Sequence, residues 1–339
     1  MSFLKKKPVR IALITLAIIL GVIAVLLVGL KIGERLIFNE FYKDADKGFK
    51  TPGIKDGLVQ QGIVYMPEKE LFLIAGYMGD NSASRVYVVS KDGKVLNKVS
   101  LKNADGTDYL GHTGGIEFYG NYVYITDGTK EKGYNGGLDV FPLDEMLEGK
   151  SEVKKLGRVT TYNNPAYCHI YDGYLFVGEF YKEEAYETLD SHRITTPSGD
   201  KNTALITVFK LGGEDNFSVA EKPCASITTT GEVQGMYIID GKTIVLSTSW
   251  SISKSKLYFY DMLYIESDKG NVLIDGNSVS LYHLDTKCLK QTVYAPPMAE
   301  ELAYVDGKIY VLNESACNKY IFGKFLRGNH IYGYEYTLD

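Results

Sequence analysis

Few residues in this chain have chemical reach, and they lie far apart. His112 stands before Thr113, Gly114 and Gly115, where paired glycines let the backbone turn sharply or come close to a ligand. A histidine there serves as a general base or ligand, or caps its own loop. Asp127, Glu301 and Glu314 are hard oxygen donors suited to Ca²⁺ or Mg²⁺, or to hydrating a water-filled channel. Glu179, together with the amides of Gln61, Asn164 and Gln234, supplies further polar groups, and Ser249 precedes Trp250, the one tryptophan. His192 lies in a long polar segment, 180–202, in which Glu183 and Glu187 have helical i, i+4 spacing. That segment reads as a solvated helix or lid over the mouth of a site, with Tyr181, Tyr186 and His192 facing a ligand. No serine-hydrolase elbow, zinc-protease helix, phosphate loop or EF-hand spacing is present.

What must position these groups is a repeated hairpin. QGMYIIDGKTIVL (234–246) is an apolar strand, an Asp240-Gly241 turn and a second apolar strand, and Asp-Gly between such runs is a strong hairpin signal. The unit recurs in GIEFYGNYVYI (115–125), AYCHIYDGYLFV (166–177) and ELAYVDGKIYVL (301–312), and more loosely in GIVYMPEKELFLI (62–74). A second strand pair follows the first four: 85–89 with 95–101, 138–141 with 156–160, 204–211 with 225–229, and 279–284 with 289–294. Four strands per repeat predict an all-β fold, a β-propeller of five blades, or six if the stalk before residue 61 adds strands. The last repeat is one strand short, so an outer strand is expected from residues 49–60, since a bare edge invites aggregation. In a propeller the starts of the innermost strands and the loops after the second strands meet at one channel mouth. That would gather Gln61, His112, Asn164, Gln234 and Glu301 with Asp127, Glu179, Trp250 and Glu314 into one binding site.

Residues 11–31 open with IALITLAIILGVIAVLLVGL, an uncharged run long enough to span a bilayer and longer than the apolar part of a cleaved signal. The reading is a cytoplasmic basic tail (1–10), a transmembrane signal anchor (11–31), a stalk (32–60) and the propeller (61–339). Lys5, Lys6, Lys7 and Arg10 precede the span, which predicts an extracellular C-terminal domain at the cell membrane. The net charge is −5, and those four cations are set against −9 in the rest of the chain, which argues against a nucleic-acid partner. Cys168, Cys224, Cys288 and Cys317 lack zinc spacing and read as buried thiols or, in an oxidising compartment, as up to two disulfides.

QGIVYMPEKELFLIAGYMGDNSASRVYVVSKDGKVL (61–96), GHTGGIEFYGNYVYITDG (111–128), GEFY (178–181), VQGM (233–236) and PPMAEELAYVDGKIYVLNESA (296–316) resemble an uncharacterised family of bacterial secreted or membrane-anchored β-propellers. The first and last of these segments are also distantly similar to bacterial-type glutaminyl cyclotransferases, five-bladed propellers with a late Asn-Glu-Leu-Glu segment. Here that segment is Ala299-Glu-Glu-Leu-Ala303, so the resemblance places Glu301 on one family glutamate and Ala303 on the other. The expectation is an anchored propeller that binds an envelope glycan, peptide or partner protein at its mouth, with Ca²⁺ or Mg²⁺ as an optional cofactor. The alternative is an enzyme (cyclotransferase, lyase or hydrolase) at the same mouth, with Glu301 and His112 as acid and base.

Overall fold

At Asp172-Gly173 and Asp306-Gly307 both turn residues have φ between 47° and 82°, and each pair closes a two-residue hairpin loop. This left-handed pair matches the right-handed twist of the flanking strands, which is why Asp-Gly marks these hairpins in the sequence. The computed structural model describes residues 6–129, 131, 136–265, 270–320, 322–326 and 328–337.

Each predicted hairpin is the inner half of a blade, and the five blades form a β-propeller. Blade one comprises Leu58–Met66, Leu71–Met78, Arg85–Ser90 and Val95–Lys102; blade two comprises Ile116–Tyr119, Tyr122–Asp127, Gly137–Pro142 and Gly157–Thr160. Blade three is built from Pro165–Tyr171, Tyr174–Glu179, Ala204–Lys210 and Ala225–Thr229, and blade four from Val233–Ile239, Thr243–Thr248, Ser255–Asp261 and Leu289–Ala295. In blade five, Ala299–Val305, Lys308–Asn313 and His330–Glu335 are completed by Ala45–Lys50. The innermost strands neighbour one another in turn around the ring, and apolar residues from adjoining blades fill the spaces between sheets.

The structure differs from the sequence reading in two places. The closing strand is Ala45–Lys50, earlier than the expected 49–60, and blade one begins at Leu58 rather than after the stalk. Its sequence, ADKGFK, is linker-like because an outer strand faces solvent and carries charge along its edge. In blade four the third strand is Ser255–Asp261, not 279–284. Asn277–His283 instead forms an inserted hairpin with Gly270–Ile274 and pairs in parallel with the outer strand of blade three.

Lys6–Ile37 is one helix, and its stretch from Pro8 to Ile37 is apolar enough to cross a membrane, with none of its apolar window buried in the protein. It runs on into Asn39–Lys43, whose Phe41 and Tyr42, with Phe38, are buried among Val293, Ala295, Tyr332 and Tyr334. All four cysteines are free thiols, and Cys224, unlike the other three, is exposed.

Candidate functional site

The inner strands do more than form the wall. In four of the five blades the first strand pair is irregular at the same end: between Gln60 and Gly62, Pro165 and Tyr167, Val233 and Gly235, and Ala299 and Leu302. A bulge re-aims the extra side chain. The residues so displaced, Gln61, Ala166 and Gln234, line a cavity of about 770 Å³ at the channel mouth, while the bulge of blade five holds Glu300 and Glu301. The loops after the second strands complete the walls.

One wall is a hydrogen-bonded polar network. Gln61 Nε2 donates to Glu314 Oε2 at 2.8 Å and to the Gln60 carbonyl at 2.9 Å. The Tyr320 hydroxyl bonds with Glu314 and with Tyr77, and Lys319 Nζ donates to the Tyr77 hydroxyl. The His112 ring lies against Tyr77, centroids 4.7 Å apart. Burial pushes the Glu314 carboxyl up to about 7, against the pull of Tyr320, Lys319 and Gln61. Behind it Glu300 is fully buried, with Oε1 lacking a hydrogen-bond partner, and burial together with the Glu314 charge holds its carboxyl well above the usual range. Burial likewise raises Tyr77 and Tyr320.

Another part of the lining is aromatic. Phe180, Tyr186 and Trp250 pack edge and face on one another at centroid distances of 5.3 to 6.1 Å. Lys182 Nζ stands 5.4 Å over the Trp250 ring and is paired with Glu232 at 2.6 Å. Also on the lining, Asn164 exchanges hydrogen bonds with the Thr129 backbone at 2.6 and 2.9 Å, and this links blade two to blade three. Ser251 and Met298, both on the lining, have φ of 53° and 63°, strained values that cluster at functional sites.

The structure thus brings Gln61, His112, Asn164, Gln234, Trp250 and Glu314 to one cavity. Four other predicted residues lie elsewhere, among them Asp127, which is paired with Arg158. Glu301 is sealed in the channel below the mouth, where its Oε2 accepts the Ile63 amide at 2.9 Å and the Ile116 amide at 3.0 Å. Burial holds its carboxyl well above the usual range. Glu179 is buried at the end of its strand and takes the amides of Asn164 and Leu205 and His192 Nδ1, the last at 3.0 Å. His192 therefore turns inward instead of facing the mouth, and the pair borders a separate cavity of about 280 Å³. The segment 180–202 is a two-strand turn with one short 3-10 turn rather than a helix, and Tyr181 stacks under Arg193.

The three carboxylates read as metal ligands have separate partners: Asp127 binds Arg158 at 2.7 Å, Glu301 the backbone amides, and Glu314 the Gln61 amide. Among the described residues no cluster of three His, Cys, Asp or Glu is placed to hold a metal ion. The sequence reading missed Tyr77, Phe180, Glu300, Lys319 and Tyr320. A signal for Tyr77 and Phe180 exists in their position just at or after a second strand, where Glu179 and Trp250 were sought; nothing local marks the others.

No protein family and no curated protein sequence matches this chain. Among solved structures, it is similar to the pyrroloquinoline-quinone-bound aldose sugar dehydrogenase of Streptomyces coelicolor at 10% identity, covering 85% of this chain and 95% of that one, with a TM-score of 0.44. It is similar to the alpha-L-arabinofuranosidase of Lactobacillus brevis at 10% identity, covering 86% and 94%, with a TM-score of 0.43. The exo-beta-1,3-galactanase of Phanerochaete chrysosporium matches at 11% identity over 87% of this chain and 64% of that one, with a TM-score of 0.45.

Proposed function

We propose that this protein is a membrane-anchored, extracytoplasmic β-propeller that binds a saccharide of the cell envelope in the cavity at its channel mouth. One observation carries this: the same cavity is lined by the rings of Phe180, Tyr186 and Trp250 and by the hydrogen-bonded Gln61 and Glu314 side chains. A sugar ring is apolar on its C–H faces and rich in hydroxyls at its rim, so stacked aromatics and a convergent amide and carboxyl complement its two kinds of surface. The volume suits a ligand of a few sugar units, within the roughly 300–1,000 Å³ usual for such sites. The Lys/Arg excess before the apolar helix supports a cytoplasmic N-terminus and an outer propeller.

A second reading has its own observation. A carboxyl raised to about 7 and facing a cavity can hold a proton at neutral pH and give it to a leaving group. On that reading Glu314 acts as general acid in the hydrolysis of the bound saccharide, with burial keeping its proton in place.

Trp250 is the only tryptophan, so the intrinsic fluorescence of the full-length protein in detergent reports on this cavity alone. Titrating envelope-type oligosaccharides should shift its emission, and Tyr186→Ala should weaken binding about tenfold through loss of one aromatic contact of about 1.4 kcal/mol. A response to peptides but to no saccharide would sink the saccharide reading. Glu314→Gln that binds but no longer releases reducing ends would establish the enzyme.

A further inference from the structure

We infer that the cavity opens toward the bilayer and that its saccharide is the headgroup of a membrane glycolipid, a conclusion that rests on the saccharide reading above. The same loop that lines the cavity with Glu314, Lys319, Tyr320 and Gly323 carries the turn Phe322–Phe325, whose backbone runs against the membrane-spanning helix. Chain direction agrees. In the closing strand Lys50 pairs with His330, and the next residue, Thr51, donates its amide to Asn329, so this end lies beside the cavity loop. Ala45 pairs with Tyr334, and Asp44 accepts the Glu335 amide at the opposite end. The segment from Phe38 to Asp44 therefore descends the flank of blade five, and the helix reaches the propeller from the cavity side.

The span leaves no slack. Glu34, four residues and about 6 Å along the helix beyond Leu30, is already buried and holds Tyr42, whose ring packs on Tyr332 of blade five. The interfacial layer of one leaflet is about 5–7 Å deep, so the cavity face lies at headgroup level. The joint is also stiff: the Tyr42 hydroxyl binds Glu34, the Arg35 guanidinium stands 4.9 Å over the Tyr42 ring, and Phe41 stacks on Tyr334 at 5.6 Å. Loops on the cavity face present Leu110 and Ile252, 61% and 67% exposed, alongside the exposed Lys254, Lys319 and Lys324 and, farther round, the exposed Asp80, Glu183 and Glu184. Apolar side chains interspersed with lysines are the composition of a surface that rests on a membrane interface. A soluble sugar would have to enter between this face and the lipid, whereas a glycolipid headgroup is presented to it directly.

The test uses full-length protein in phosphatidylcholine nanodiscs, read by Trp250 emission, in two arms. In the first, lipids with a nitroxide on the headgroup should quench Trp250. Absence of quenching, with free acrylamide still quenching, would overturn the orientation whatever the ligand is. In the second, a diglycosyl diacylglycerol in the disc should shift the emission at a total concentration at least tenfold below that needed for the same disaccharide free in solution. An equal response to the free disaccharide would overturn the glycolipid assignment and leave the saccharide reading standing. A response to neither would overturn both, and the quenching arm still decides which way the mouth faces.

Discussion

Two adjacent glutamates on one inner strand, Glu300 and Glu301, divide the channel into regions built on opposite plans. Around Glu301 every partner is backbone. The amides of Ile63 and Ile116 bind its carboxylate, and Gly62, Gly115 and Gly235 clear the space: a Cβ on them would come 3.1 Å from Glu301 Oε2, 2.8 Å from Oε1 and 2.5 Å from Cα. This acid ties blade five to blades one and two and leaves no room for a ligand. Around Glu314, with Glu300 behind it, the network is one of side chains, Gln61, Tyr320, Tyr77 and Lys319, and Glu314 lines a cavity. Buried carboxyls with raised pKa therefore do not by themselves mark a site. What separates the two regions is whether the carboxyl's partners are fixed backbone or side chains that a ligand can displace.

Glu301→Ala offers the largest way to test that division. It orphans two buried amides, each costing about 1–3 kcal/mol, and opens a void, so a loss of about 4 kcal/mol in denaturant unfolding is expected. Glu301→Gln, which keeps an acceptor for both amides, should cost less, and neither should alter the affinity of the folded fraction for the proposed saccharide. If Glu301→Gln abolishes binding without loss of stability, the sealed region is part of the site after all.

Gly115→Ala probes the same region by filling it. The added methyl would meet Glu301 Oε1 and the Cys168 amide nitrogen, both at 2.8 Å, and backbone cannot give way cheaply. Overpacking of this kind costs about 1–3 kcal/mol, read as a fall in Tm. The matched control is Gly120→Ala at the far hairpin turn, where nothing stands within 4 Å of a Cβ and only the positive φ of 57° resists it. A loss at Gly115 no larger than at Gly120 would mean that the glycines around Glu301 are not there for room.

How much of this was legible follows the same line between local and distant causes. The hairpins could be read because Asp-Gly turns and alternating strands are local signals, and the five-blade count followed from them. The closing strand could not, because Ala45–Lys50 has the charged composition of any exposed edge and pairs with a partner nearly 290 residues away. Val279 to Leu284 displaced Ser255–Asp261 in the reading because both alternate well, and only the parallel pairing to blade three tells them apart. At the site, Gln61 and Gln234 were found from strand position. Tyr320 and Lys319 depend on the path of one long loop, and which of Glu300 and Glu301 lies behind Glu314 is decided by a bulge that breaks the alternation.

The smallest effect concerns the mouth itself and has a definite sign. Glu314 has its carboxyl raised to about 7 from an ordinary value of 4.5, so the folded state binds this proton more tightly than the unfolded chain does. Its stabilising contribution is complete below pH 4.5 and is lost as pH rises through 7, since the unfolded carboxyl ionises first and the folded state must then follow at a cost. Across that window the protein should lose on the order of 2 kcal/mol, less than the full shift implies because the side chain is only partly shielded from water. Glu314→Gln keeps the shape, removes the titration and should flatten the stability profile between pH 5 and 8, leaving only the share that Glu300 and Glu301 contribute with the same sign. A saccharide whose hydroxyl donates to Glu314 would favour the ionised carboxylate and draw its titration downward, so the wild-type profile should flatten when the ligand is added. A ligand that binds without changing the profile would sit on the aromatic wall alone, and the two walls would then not act as one site.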